Sequence, residues 1–599
     1  MRRQIHPYCS VLFTFVIAGC PPGGGETTGS TGTGEITDGT TSGGETVGST
    51  DVPTESTAPT TGGAGAACRD EPDAPVFEHE AGDVGTETWP SGVHVLGGSI
   101  HVGGLLTVEP CSVIKVPDGA SIAVADGGAV HWVGTAEDPI IVTSAKSSGM
   151  PGDWVEIDIH ADSTGPENVL RHVVIEHGGG GSYGALWVET GASIELSDCT
   201  IRNSGDFGLV VAEDAELRNF VGNTLQDNAS GALKIAPDGV GQLGAGTYAP
   251  NAVEGIHVTS GAVRTSQTWL THDAPYVAAQ GFSVETEAGS AQLTVEPGAV
   301  IKLGDGATLT VGNNGGLTLV GTAEQPITIT SSKTSGAPGD WVEIDVHAAS
   351  ADEFNRFEYV IVEHGGGGNY GQVWVEEGAS IAITNSTIRS GDDVGISNHG
   401  ELRDFTGNTI VDNAAGALRI DADAVDQLQP GTYGPNPVDG IIIEAEAVSH
   451  DATWQALGVP FLAPNGFSVG VQAGSARLVL DPGVDLRLGE GATLSVDNNG
   501  ALRLDGTADN PVRLGSAKPA PAPGDWLEID INDGSVGPEN VFTYAEIAHG
   551  GAGNYGQLYV ATNAEVTLDH VSFSDAGEGC DVYANGVVNA ISTDYVPCP

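Results

Sequence analysis

The sequence predicts an all-β fold of many short strands arranged in a threefold internal repeat, and three observations lead there. A phrase that opens with L-T-V-E-P near Leu106 returns near Leu293 and, more loosely, near Leu478. Its anchors keep a fixed period: Trp154, Trp341 and Trp526 are 187 and 185 residues apart, as are His177, His364 and His549. Within each repeat apolar residues alternate, as in Val155-Glu156-Ile157-Asp158-Ile159, the period of a strand with one buried face. Gly, Asn and Asp turns separate these stretches, and no amphipathic helix is long enough to build βαβ units. A sandwich, a propeller or a solenoid satisfies these constraints.

From the N-terminus, the first segment reads as a lipoprotein signal over residues 1–19. Arg2 and Arg3 form the basic start, Val11 to Ile17 the apolar stretch, and Ile17-Ala18-Gly19-Cys20 a lipobox-like end. Cleavage before Cys20 leaves that cysteine as a lipidated N-terminus, so the expected location is the cell envelope, at the outer membrane or cell surface. Residues 20–67 are mostly Gly, Thr, Ser and Glu; they cannot bury enough apolar surface to offset ordering and are expected to be a disordered tether. The repeats follow as residues 68–266 with an N-terminal cap, 267–451, and a shortened 452–599 with a C-terminal cap.

The formal charge of −58, from 79 acidic and 21 basic residues, argues against nucleic acid as a partner, because phosphate backbones demand cationic neutralisation. Besides the membrane reached through the lipid, glycans or other cell-surface components remain as partners; no cofactor is required. Cys111 stands where the other repeats have Gly298 and Gly483, and Cys580 where they have Gly208 and Gly395. These end-specific cysteines predict two staples, Cys68 with Cys111 and Cys580 with Cys598. Cys199 is left over as a buried, inert thiol.

The solenoid is favoured by Gly222-Asn223-Thr224, Asp227-Asn228 and Gly231-Ala232-Leu233, which return as Gly407-Asn408-Thr409, Asp412-Asn413 and Gly416-Ala417-Leu418. These phrases resemble the right-handed parallel β-helix repeats of the pectate-lyase-like superfamily, of the bacterial surface lipoprotein type. The resemblance covers roughly Trp89 to the C-terminus. It implies turns of about 20–25 residues, hence about eight per repeat.

Two constellations are candidates for chemistry. Glu156 with Asp158, Glu343 with Asp345, and Glu528 with Asp530 lie on one outward face by alternation, a geometry that can hold calcium. A solvated strand face beside a packing tryptophan is the simpler reading. The glycine runs after His177, His364 and His549 end in Tyr183, Tyr370 and Tyr555, and these His and Tyr pairs can grip a sugar. A wide turn needing positive φ, with His packed beneath it, is the plainer alternative. The G-x-S-x-G match at Gly180–Gly184 is discounted, since Asn369 and Asn554 replace Ser182 and no strand–turn–helix elbow is readable.

The superfamily resemblance implies lyases and hydrolases as well, yet W-I-D-H, R-x-P-x-x-R and G-H-G are all absent. The expectation is therefore a non-enzymatic surface scaffold or adhesin-like binding module. A polysaccharide lyase or hydrolase is the alternative, and a calcium-loaded surface-layer protein the second.

Overall fold

A computed structural model describes Cys68 and residues 73–599. The expected signal segment, Cys20 and the tether lie outside the described residues, and no described helix is long and apolar enough to cross a membrane. The chain from Val76 onward forms an all-β solenoid of about 20 turns in which the strands pair in parallel with their counterparts one turn away. At roughly 4.8 Å per turn the stack is on the order of 100 Å long.

Period-two alternation becomes inside and outside. On one face the column Val102, Val124, Ile159, Val188, Val211, Ile235 and Val258 follows the strand register from turn to turn, each residue at most 5% exposed. β-Branched side chains suit this pleated interior, and each buried aliphatic contributes about 1.5–3 kcal/mol. The Asn-rich phrases turn the corners. Asn223, Asn228 and Asn251 are buried and satisfy backbone groups of adjacent turns; Asn228 accepts from the Ser204 amide and donates to the Ile201 carbonyl. Asn408, Asn413 and Asn436 do the same in the next repeat.

The faces do not keep step with the repeat. From strand Ile157–Ile159, seven steps along one fourteen-stranded sheet lead to Ile327–Ser331; the next strand, Ile344–Val346, lies on a different, thirteen-stranded sheet. Ile344–Val346 is the sequence equivalent of Ile157–Ile159, so one repeat spans seven turns plus one face. The same shift separates Ile344–Val346 from Ile529–Ile531. Each shift occurs where a 3-10 helix, Pro237–Gln242 or Ala422–Gln427, takes the place of a strand. Turns are fewer than the eight expected because excursions such as 145–155 lengthen them.

The ends are pinned. Cys68 is disulfide-bonded to Cys111 and Cys580 to Cys598, the latter holding the C-terminal segment where Pro597 bridges Val582. Such covalent closure blunts the open edges of a parallel stack. Cys199 is free and fully buried, and burial pushes its thiol up to about 12. Non-reducing peptide mapping is expected to recover these two bridges, with Cys199 alkylated only after denaturation; a bridge that includes Cys199 would overturn the assignment.

Candidate functional site

The repeated P-G-D-W segment builds a clamp around a buried aspartate. Asp340 accepts hydrogen bonds from the Ser331 hydroxyl and the Ala337 amide, and Lys333 Nζ lies 2.6 Å from its Oδ1. Asp525 has the same partners in Ser516, Ala522 and Lys518, and Asp153 is held by Lys146 and the Met150 amide. These bonds outweigh desolvation and hold all three carboxyls down at about 2. The lysines, seven residues before each Asp, escaped the sequence reading although their spacing repeats.

The adjacent tryptophans pack inward. Trp154, Trp341 and Trp526 are fully buried, each donating its indole N–H to a carbonyl of the next turn, those of Glu176, Glu363 and Ala548. The indole explains the first glycine of each run: a Cβ at Gly178, Gly365 or Gly550 would lie 2.6–2.8 Å from the ring. The second glycines, Gly179, Gly366 and Gly551, have φ near +80°. Amides of the run are spent internally, Gly366 on the Val342 carbonyl and Gly367 on that of Trp341. The run is therefore a tightly packed turn.

The histidines and tyrosines have different surroundings. His177 sits at φ 67° with Nδ1 3.1 Å from the Thr143 hydroxyl, and His364 pairs likewise with Thr330. In the third repeat Gly515 replaces that threonine, and His549 Nε2 faces Asp575 at 3.8 Å. The tyrosines instead project outward, 43–47% exposed. Tyr183 stacks on Trp187 and Tyr370 on Trp374, with ring centroids 4.0 Å apart and planes within 10°. Tyr555 leans on Tyr559 and Tyr583 at 4.8 and 5.2 Å. The sequence reading missed these second rings, four residues after each tyrosine.

Each stack in the first two repeats borders a cavity that does not include the histidine. The first cavity, about 250 Å³, is lined by Tyr183 and Trp187 together with Glu213, Lys234, Asp238 and Arg264. Its counterpart, about 500 Å³, is lined by Tyr370 and Trp374 with Glu377, His399, Asp421 and Glu446. Basic and acidic groups balance in the first, whereas carboxylates dominate the second. There Glu446 is raised chiefly by the charge of Asp421, and a hydrogen bond to Asp421 raises His399.

The paired carboxylates lie beside these stacks, for Asp158 is in register with Trp187, Asp345 with Trp374 and Asp530 with Tyr559. Glu156, Glu343 and Glu528 sit beneath the glycine run, their Oε2 atoms close to where a Cβ at Gly181, Gly368 or Gly553 would be. Each Oε2 is buried with no hydrogen-bond partner. Burial first, and the neighbouring Asp second, push all three glutamates up to about 7. Asp158 and Asp530 rise to about 6 and Asp345 also rises, in each case chiefly through burial. No family model matches the sequence, and no curated protein matches it significantly.

Proposed function

We propose that the protein is a non-enzymatic binding scaffold, tethered to the cell envelope through lipidated Cys20, whose repeats present aromatic platforms to glycans. The observation that carries this reading is the recurrence, in all three repeats, of an exposed tyrosine backed by a second ring. A flat aromatic face with an electron-rich surface suits the C–H-lined face of a pyranose, and the flanking carboxylates can accept hydrogen bonds from its hydroxyls. A cavity of about 500 Å³ falls within the range of small-ligand sites.

Two features weigh against a lyase or hydrolase. Among the carboxylates raised by burial are the glutamates under the glycine runs, and each of them turns its Oε2 into the protein and away from solvent, a poor arrangement for proton exchange with a substrate. The carboxylate-rich second cavity also repels polyuronates, the substrates that a lyase would take.

The test is a glycan array with the parent chain and with Tyr183→Ala, Tyr370→Ala and Tyr555→Ala singly and combined, beside an assay for unsaturated uronide release. Binding is expected to weaken stepwise as platforms are removed, with no uronide released. Uronide release that one substitution abolishes, or binding indifferent to all three tyrosines, would refute the proposal.

A further inference from the structure

Beside the platforms of the first two repeats the solenoid brings a histidine and two carboxylates together. Asp158, His160 and Glu189 place one donor atom each within 4.8 Å of one another, and so do Asp345, His347 and Glu376. The fold explains the meeting. Asp and His are two residues apart on one edge, with side chains on the same side. Glu follows the strand one turn further, where the Glu189 amide donates to the Ile159 carbonyl and the Glu376 amide to the Val346 carbonyl.

The bonds already present leave donor capacity over. His160 Nε2 lies 3.0 Å from Asp158 Oδ2, and His347 Nε2 lies 2.9 Å from Asp345 Oδ2. Glu189 Oε2 accepts from the Ala161 amide and Glu376 Oε2 from the Ala348 amide, which orients both carboxylates. The other Asp oxygens, Asp158 Oδ1 and Asp345 Oδ1, are buried without a hydrogen-bond partner. Asp345 is only 8% exposed. A buried carboxylate oxygen with nothing to accept from is costly, and a cation bound by the same carboxylate removes that cost.

The third repeat provides an internal contrast. Asn532 stands in the place of the histidine and Ala561 in the place of the glutamate, although Asp530 is retained. Asn532 there turns to Asp497, donating to its Oδ1 at 2.9 Å. The imidazole and the second carboxylate are thus lost together, as expected of groups that share one ligand.

We propose that Asp158, His160 and Glu189, and separately Asp345, His347 and Glu376, each bind a first-row divalent transition-metal ion, and that the third repeat binds none. One imidazole nitrogen with two carboxylates is a borderline donor set that suits zinc or manganese, whereas calcium prefers six to eight oxygens. Donors bound at about 2.0–2.2 Å lie at most roughly 4.4 Å apart, so the clusters close on an ion by small side-chain movements. The partly exposed histidines, 37% and 39%, leave room for water to complete the shell. This assignment is independent of whether the platforms bind glycans.

Titration calorimetry of the chelator-treated full chain with zinc chloride, manganese chloride and calcium chloride at matched ionic strength tests it. Two equivalents of zinc or manganese are expected per chain. His160→Asn and His347→Asn should each remove one, and the double substitution both. Asn532→His with Ala561→Glu should add a third. Melting of the apo variants in chelator, expected to match the parent, separates lost ligation from lost folding. Failure to bind zinc or manganese, a stoichiometry indifferent to the histidine substitutions, or calcium binding as tightly at the histidine-dependent sites would each overturn the proposal.

Discussion

The variant carrying Glu156→Gln, Glu343→Gln and Glu528→Gln is expected to gain stability relative to the parent chain as the pH is raised from 4.5 to 8. In the folded chain these glutamates titrate at about 7, against 4.5 when unperturbed. Below 4.5 both folded and unfolded states hold the proton, and the difference contributes nothing. Between 4.5 and 7 the unfolded chain releases its protons first, so the parent loses stability as pH rises; above 7 the penalty is constant. Glutamine has no proton to lose and escapes it. One pKa unit corresponds to about 1.4 kcal/mol, which gives an upper bound of roughly 3.5 kcal/mol per site, less wherever solvent reaches the carboxyl.

The comparison must be between variant and parent at each pH. His79, His94, His257 and His272 are lowered chiefly by burial and lose stability as pH falls below 6.5, which opposes the glutamates in the raw profile. Calorimetric melting at both pH values measures the change, and an equal shift at 4.5 and 8 would mean that the glutamates are not the cause.

The second large effect is expected at the buried indoles. Trp341→Ala removes a fully buried ring and leaves the Glu363 carbonyl without its donor. Large-to-small changes at aromatic core positions cost about 3–5 kcal/mol. Trp341→Phe keeps most of the volume and loses the hydrogen bond, for about 1–3 kcal/mol. Because a stacked solenoid can open locally, hydrogen exchange at Ile344–Val346 and at a remote turn is the appropriate measurement. Protection should fall near Trp341 and persist near Trp132; no local loss in Trp341→Ala would contradict the packing described.

Strands and turns were legible because alternation and corner residues are local signals: Ile157, Ile159, Asn228 and Asn413 announce their environments by type and spacing. The cysteines at the ends were legible as departures from the repeat. The pairing of Tyr183 with Trp187 was harder to read, since Trp187 alternates with buried Leu186 and Val188 and looks like another strand residue. The proposed metal cluster was hidden for a different reason. Glu156 and Asp158 are close in sequence, but the groups that gather with Asp158 are His160 and Glu189, and the latter arrives from the following turn. No periodicity announces that a face is skipped at Pro237–Gln242, because the number of residues spent in a corner is set by packing.

That skipped face has a consequence for how such a molecule meets its surroundings. Trp187, Trp374 and Tyr559 belong to three different sheets, and so the platforms look out in successive directions around the axis. A flat surface laid against the stack meets one of them and leaves the others facing away. A meshwork of polymer strands can reach all of them at once. If the platforms bind glycans as proposed, a molecule of this build acts as a tie point within a gel and not as an adhesive strip along a wall.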